Sequence, residues 1–136
     1  MNNDEMLKDI LLNAKTVASV GLSANEQKVS HWIGVYLQGE GYHVIPVNPT
    51  AEKILGEKSY PDLESIPEEI DVVQIFRRPE DVPPIVEDAI KVGAKVVWMQ
   101  EGIVNEEAAQ RARDAGLQVV MDACMRSTHQ RLIGPQ

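Results

Sequence analysis

Residues 16–49, TVASVGLSANEQKVSHWIGVYLQGEGYHVIPVNP, read as one strand–helix–strand unit, and that reading decides the fold. Thr16–Val20 is short, rich in β-branched residues and bounded by Gly21, as a strand buried on both faces should be. From Ser30 to Glu40 the apolar residues Ile33, Tyr36 and Leu37 recur at helical spacing, and Gly41 stands where a left-handed cap is needed. His43–Val47 is the second strand. Strands joined through a helical crossover run parallel, and helices must then cover the sheet.

The flanking sequence continues the pattern. Upstream, Leu7, Ile10, Leu11 and Ala14 form a helical stripe, with Asn3 as the cap and Asp4 and Glu5 in the first turn. Downstream, 50–67 is punctuated by Gly56, Pro61 and Pro67 and reads as a connection with a short helical turn or two. Val72–Phe76 is the third strand. A helix follows from Pro79, with Val82, Ile85, Val86, Ala89 and Ile90 on one face and Gly93 closing it. Lys95–Met99 is the fourth strand, Asn105–Ala115 a helix closed by Gly116, and Leu117–Met121 the fifth strand. Repeats and low-complexity segments are absent. The alternation predicts an α/β protein with a five-stranded parallel sheet and helices on both faces.

At 136 residues the chain has the size of one domain, and 43% hydrophobic with 25% charged residues is the composition of a soluble globular protein. A formal net charge of −8 argues against nucleic acid and anionic membrane as partners, because both reward clustered Lys and Arg. Apolar runs such as Ile10–Leu12 and Val96–Met99 fall far short of a membrane span, and Asp4 and Glu5 do not suit a signal peptide, so the expected location is cytoplasmic. The single Cys124 excludes an internal disulfide, and His31, His43 and His129 lack ligand spacing, so no metal is implied.

In a parallel sheet ligands bind beyond the carboxyl ends of the strands, which singles out the junctions 21–30, 48–50, 76–79 and 99–103. The first holds one glycine where a dinucleotide fingerprint needs three, and Asn48-Pro49 replaces the acid that would hold a ribose, which demotes NAD. No Gly-Lys-Ser or Gly-Lys-Thr follows strand one, which excludes a P-loop. The loop Gly21–Val29, carrying Ser23, Asn25 and Lys28 into a helix start, suits a phosphate cradle; the alternative is Ser30 as a plain N-cap and Lys28 as a solvated charge. Lys28, Arg77 and Arg78 form a basic rim on an acidic chain, pointing to an anionic ligand, although both arginines could pair with Glu80 and Asp81 for ~0–1 kcal/mol.

Cys124, Asp122 and His129 contain the residue types of a cysteine nucleophile and its base, but they lie in a short tail with nothing to fix their geometry, and catalysis there is not expected. Cys124 reads either as a small packed hydrophobe or as a thiol able to form a mixed disulfide with a thiol ligand. Trp32 and Trp98 read as core or pocket residues rather than as a partner-binding patch.

The segments Val20-Gly21-Leu22-Ser23, Pro46-Val47-Asn48-Pro49, Phe76-Arg77-Arg78-Pro79, Val97 to Ile103 and Asp122-Ala123-Cys124-Met125, in this order, resemble the small stand-alone CoA-binding protein family from about Leu7 to Leu132. The same domain is similar to the N-terminal domain of the succinyl-CoA synthetase α subunit. The resemblance implies a Rossmann-like three-layer sandwich, residues 1–136 forming a single CoA-binding domain, with CoA or an acyl-CoA across the carboxyl edge. Gly21, Leu22, Ser23 and Ser30 would lie near the phosphates, beside the Lys28 already noted, and Val47, Asn48 and Pro49 near the adenosine. Phe76, Arg77 and Arg78 would flank the ligand, and Met99, Gln100 and Glu101 would contact it. Ala123 and Thr128 depart from the family tail, which has a basic residue before the cysteine and an acid before the histidine, so no role is carried onto it. The synthetase keeps its phosphorylated histidine in a further domain and this sequence stops at Gln136, so the expectation is a small-molecule binding module and not an enzyme. Its rivals are a redox or CoA-thiol sensor using Cys124, a nucleotide-binding regulator of NAD type, and an acyl-CoA enzyme, for which the residues offer no convincing base. A homo-oligomer or a protein partner stays open.

Overall fold

A computed structural model describes residues 2–134 of the chain. Helix α1 (Asp4–Asn13) leads into β1 (Thr16–Val20), α2 (Val29–Gly39) and β2 (His43–Val47), the unit that opened the sequence reading. A small hairpin of β3 (Lys53–Ile54) and β4 (Glu57–Lys58) follows, then β5 (Val72–Ile75), a 3-10 turn (Pro79–Asp81) and α3 (Val82–Lys91). The chain continues as β6 (Val96–Met99), α4 (Glu106–Asp114), β7 (Gln118–Val120) and α5 (Met125–Leu132).

The main sheet has five strands in the order β2-β1-β5-β6-β7, each pair parallel. Side-chain alternation divides its core in two. Ala18, Val73, Ile75, Val97 and Met99 pack with Val86, Ala89 and Ala109 of α3 and α4 on one face. Val17, Val72, Trp98 and Val120 pack with Leu7, Leu37 and Met125 of α1, α2 and α5 on the other. The result is the Rossmann-like α/β architecture expected from the sequence. Strand order reverses at β1, whose two neighbours are reached by connections leaving in opposite directions, and a crevice opens between diverging loops there.

Asp71 ties the amino-terminal ends of three strands together. Its carboxylate accepts from Lys15 N–H at 2.8 Å and Thr16 N–H at 3.0 Å, and its backbone bonds to Thr16 and Val96. Burial alone would push this carboxyl up, but the two N–H donors and Lys95 outweigh it and hold it below the ordinary carboxylate range. A depressed folded-state value means stability that is present above the unfolded pKa of ~3.9 and is lost as pH falls through the folded one. Asp71→Asn is therefore expected to cost about 1–2 kcal/mol at pH 7 and to flatten the acid limb of the urea midpoint against pH. Equal acid limbs in the two proteins would refute this.

Four features differ from the sequence expectation. The 50–67 connection forms a hairpin instead of helical turns, because Leu55 (φ 56°) and Gly56 (φ 76°) both take left-handed backbone and make a tight two-residue turn. Helix α2 begins at Val29 after Lys28, so Ser30 lies inside it and is not its N-cap. The tail is ordered as α5, packed against α1 and α2. Trp32 is exposed, its indole N–H held by the Glu26 carbonyl at 2.8 Å, whereas Trp98 is fully buried as expected.

Candidate functional site

Beyond the carboxyl ends of β1, β2, β5 and β6 lies a cleft of about 920 Å³. Its first wall is the loop after β1, which short polar side chains hold in shape. Ser23 N–H donates to Ser30 Oγ at 3.2 Å, Ser23 Oγ accepts from Asn25 N–H at 3.0 Å, and Asn25 Oδ1 accepts from Gln27 N–H at 2.9 Å. Ser30, which the alternative reading made a plain N-cap, thus fastens the loop that leads into its helix. Gly21 turns the chain at φ 90°, and a Cβ there would stand 2.8 Å from the Phe76 carbonyl oxygen, so the close approach of the two strand-end loops depends on glycine.

Asn48 joins the second loop to the first: its Nδ2 donates to the Leu22 carbonyl at 3.1 Å, and its Oδ1 accepts from Thr50 N–H at 2.9 Å. The third wall is Phe76, Arg77 and Arg78, and the fourth is Gln100, Glu101 and Ile103. Of the residues singled out by sequence, Gly21, Ser23, Lys28, Ser30, Val47, Asn48, Pro49, Phe76, Arg77, Arg78, Gln100 and Glu101 line this one cleft. Leu22 and Met99 do not, because both side chains are fully buried in the core; only their backbones remain near the edge.

Of the fifth wall the sequence reading named only Cys124. The start of α5 brings Cys124, Arg126 and Ser127 to the cleft, and Val29, Ile33 and Thr50 complete the lining. Arg126 carried no signal of its own, since it lies in a segment read as a structureless tail. The supposed cysteine–histidine pair does not form. His129 is buried and faces the Tyr36 hydroxyl, 2.8 Å from Nδ1, while Asp122 accepts from Gly102 N–H at 2.6 Å. Cys124 alone of the three lines the cleft, half-buried.

The electrostatics favour an anion. Arg78 pairs with Asp81 at 3.1 Å, a bond that raises the guanidinium pKa. Lys28, Arg77 and Arg126 meet no carboxylate within ion-pair distance among the described residues. The N-terminal turns of α2 and α5 border the same cleft, through Val29 and Ser30 and through Arg126 and Ser127, and bring the positive ends of two helix dipoles to it. Arg77 and Val47 also border a second hollow of about 350 Å³ on the opposite face of the sheet, against Leu63 and Pro84. No group of His, Cys, Asp and Glu among the described residues is arranged to hold a metal, and no described helix is long and apolar enough to cross a membrane.

The chain is similar to known proteins in sequence and in structure. It is 42% identical over 123 residues to uncharacterized protein YneT of Bacillus subtilis, covering 90% of this chain and 91% of that one. A hypothetical protein from Pyrococcus horikoshii superposes with a TM-score of 0.95 at 43% identity, over 98% of this chain and 94% of that one. An ADP-forming acetate–CoA ligase of Archaeoglobus fulgidus is 32% identical over 104 residues, which are 75% of this chain but only 16% of the ligase. The model of the CoA binding domain matches residues 15–130. With all of the cleft's strand-end loops inside that match, the chain belongs to the CoA binding domain family.

Proposed function

We propose that the chain binds CoA or an acyl-CoA in this cleft as a binding module, without turning it over. The observation that carries the reading is that Lys28, Arg77 and Arg126, three cations with no carboxylate within ion-pair distance among the described residues, surround one cleft in a chain of net charge −8. A ligand with several phosphate charges at one end and a long neutral arm suits such a site, where cations supply charge-assisted bonds and two helix N-termini add positive potential. The volume also falls in the range of small-molecule sites, roughly 300–1,000 Å³.

Calorimetric titration of ligand-free protein under reducing conditions tests this, with CoA, dephospho-CoA, ATP and NAD in parallel. Saturable binding of CoA is expected. Arg77→Ala is expected to weaken it by about 10- to 100-fold with little change in melting temperature, because the side chain is exposed. Tight NAD binding with none of CoA would overturn the reading, and consumption of acetyl-CoA by the purified protein would overturn its non-catalytic part.

One observation favours a second reading, a CoA-thiol sensor: Cys124, half-buried, lines the same cleft. In that reading its thiolate displaces one thiolate from CoA disulfide, leaving free CoA and a protein–CoA mixed disulfide. Intact mass after incubation with CoA disulfide decides it, since an unmodified protein rules the reading out.

A further inference from the structure

A chain of buried amides runs through the sheet to the cleft. Ser19 Oγ donates to Gln74 Oε1 at 2.8 Å, and Gln74 Nε2 donates to Gln100 Oε1 at 3.2 Å. That same oxygen of Gln100 accepts the backbone N–H of Met125, at the start of α5, at 3.0 Å. A backbone N–H can only donate, so it fixes which end of the Gln100 amide is oxygen. The other end is then an NH2 group with a set direction.

That NH2 group meets no acceptor among the described residues. Gln100 is only 4% exposed, yet it lines the cleft. No side-chain nitrogen or oxygen of the described residues is both closed off from solvent and without a partner, so Nε2 opens onto the cleft. A donor that opens onto the cleft with no protein acceptor is available to a ligand there. The relay from Ser19 holds it in place at no cost to its freedom to donate.

We infer that Gln100 is a specificity-determining residue, its Nε2 donating to an uncharged carbonyl oxygen on the arm of the bound CoA. The inference rests on the reading of the cleft as a CoA site. A neutral acceptor fits better than a phosphate here. The donor itself is uncharged, and the adjoining Glu101 carboxylate, which also lines the cleft, repels an anion. The cations lie on the other walls, where the phosphates belong. The arm of CoA carries amide carbonyls, and an acyl-CoA adds the thioester carbonyl.

Gln100→Glu is the informative variant. A carboxylate keeps the acceptor for Met125 N–H and for Gln74 Nε2, and these two donors hold it ionised, but it removes the NH2 donor. Titrations at pH 8 compare CoA with adenosine 3′-phosphate 5′-diphosphate, which has the phosphates and lacks the arm. The added charge weakens both anionic ligands, and the lost donor is expected to weaken CoA by about a further tenfold beyond the loss seen for the nucleotide fragment. Equal losses for both ligands, or no loss for CoA, would overturn the assignment while leaving the CoA reading intact. Failure of the unaltered chain to bind CoA would instead sink that reading, and the assignment with it. Should the variant not fold, nitrogen-15 spectra of the unaltered chain serve in its place. The Gln100 side-chain amide signals must shift with CoA and not with the fragment, and signals unmoved by CoA overturn the assignment.

Discussion

Trp98→Ala is expected to lower stability by about 3–5 kcal/mol and the melting temperature by on the order of 10–20 °C. The indole is fully buried in the layer formed by α1, α2 and α5, so its removal leaves a cavity between the sheet and three helices at once. Its N–H also donates to the Ala123 carbonyl at 2.8 Å, the residue before Cys124. The substitution therefore loosens the start of α5, and CoA affinity should fall along with stability even at temperatures where the chain stays folded. Trp98→Phe separates the two effects, since it keeps most of the apolar volume and loses the hydrogen bond, at a cost nearer to ~1 kcal/mol. Urea unfolding of the three proteins checks the order; a loss below ~1 kcal/mol for the alanine variant would show that this layer repacks freely.

The second large effect is expected at Gly21. An alanine there must adopt φ near 90°, and its Cβ meets the Phe76 carbonyl at 2.8 Å and Arg77 Cδ at 3.3 Å. Backbone must move, and the residues that would move are those that present Arg77 to the cleft. Gly21→Ala should cost roughly 2–4 kcal/mol and weaken CoA binding by more than about tenfold. Gly41→Ala is the matched control: its φ of 95° carries a similar conformational penalty, but nothing lies within 4 Å of the added methyl. It should cost only ~1–2 kcal/mol and leave the ligand untouched. Similar binding losses at both glycines would mean that the approach of the two loops does not matter.

The contrast between these two glycines also shows what a sequence can reveal. Gly21 and Gly41 look alike as punctuation after a strand and after a helix, and both mark true boundaries. Only coordinates show that one of them faces the Phe76 carbonyl. The strands were legible because each is a short apolar run between turn residues, and a parallel sheet with helices on both faces follows from their alternation with helices. The strand-end loops could then be named, which is why most of the expected site residues line one cleft.

Leu22 and Met99 mark the limit of that logic. Met99 ends β6, where alternation turns its side chain into the core, and Leu22 packs into the core beyond the Gly21 turn; a motif match does not distinguish a side chain that points at a ligand from one that points away. The hairpin escaped notice because Leu55 is an unusual residue for a left-handed turn position. The last helix escaped because Met125–Leu132 is short, polar on most positions and preceded by no capping side chain. Its stability comes from Met125, Thr128 and His129 packing on distant elements and from the Gln100 amide at its first N–H, contacts that no local pattern records.

The hairpin after β2 has one more effect. Tyr60 bonds to the Pro46 carbonyl at 3.0 Å and to Asn48 N–H at 2.9 Å, so the outer side of β2 at its carboxyl end is already occupied by the chain's own backbone. At the opposite border β7 offers only three residues, Gln118–Val120. A foreign strand seeking to extend this sheet finds one margin blocked there and the other too brief to hold it. Self-association by strand addition is thereby disfavoured.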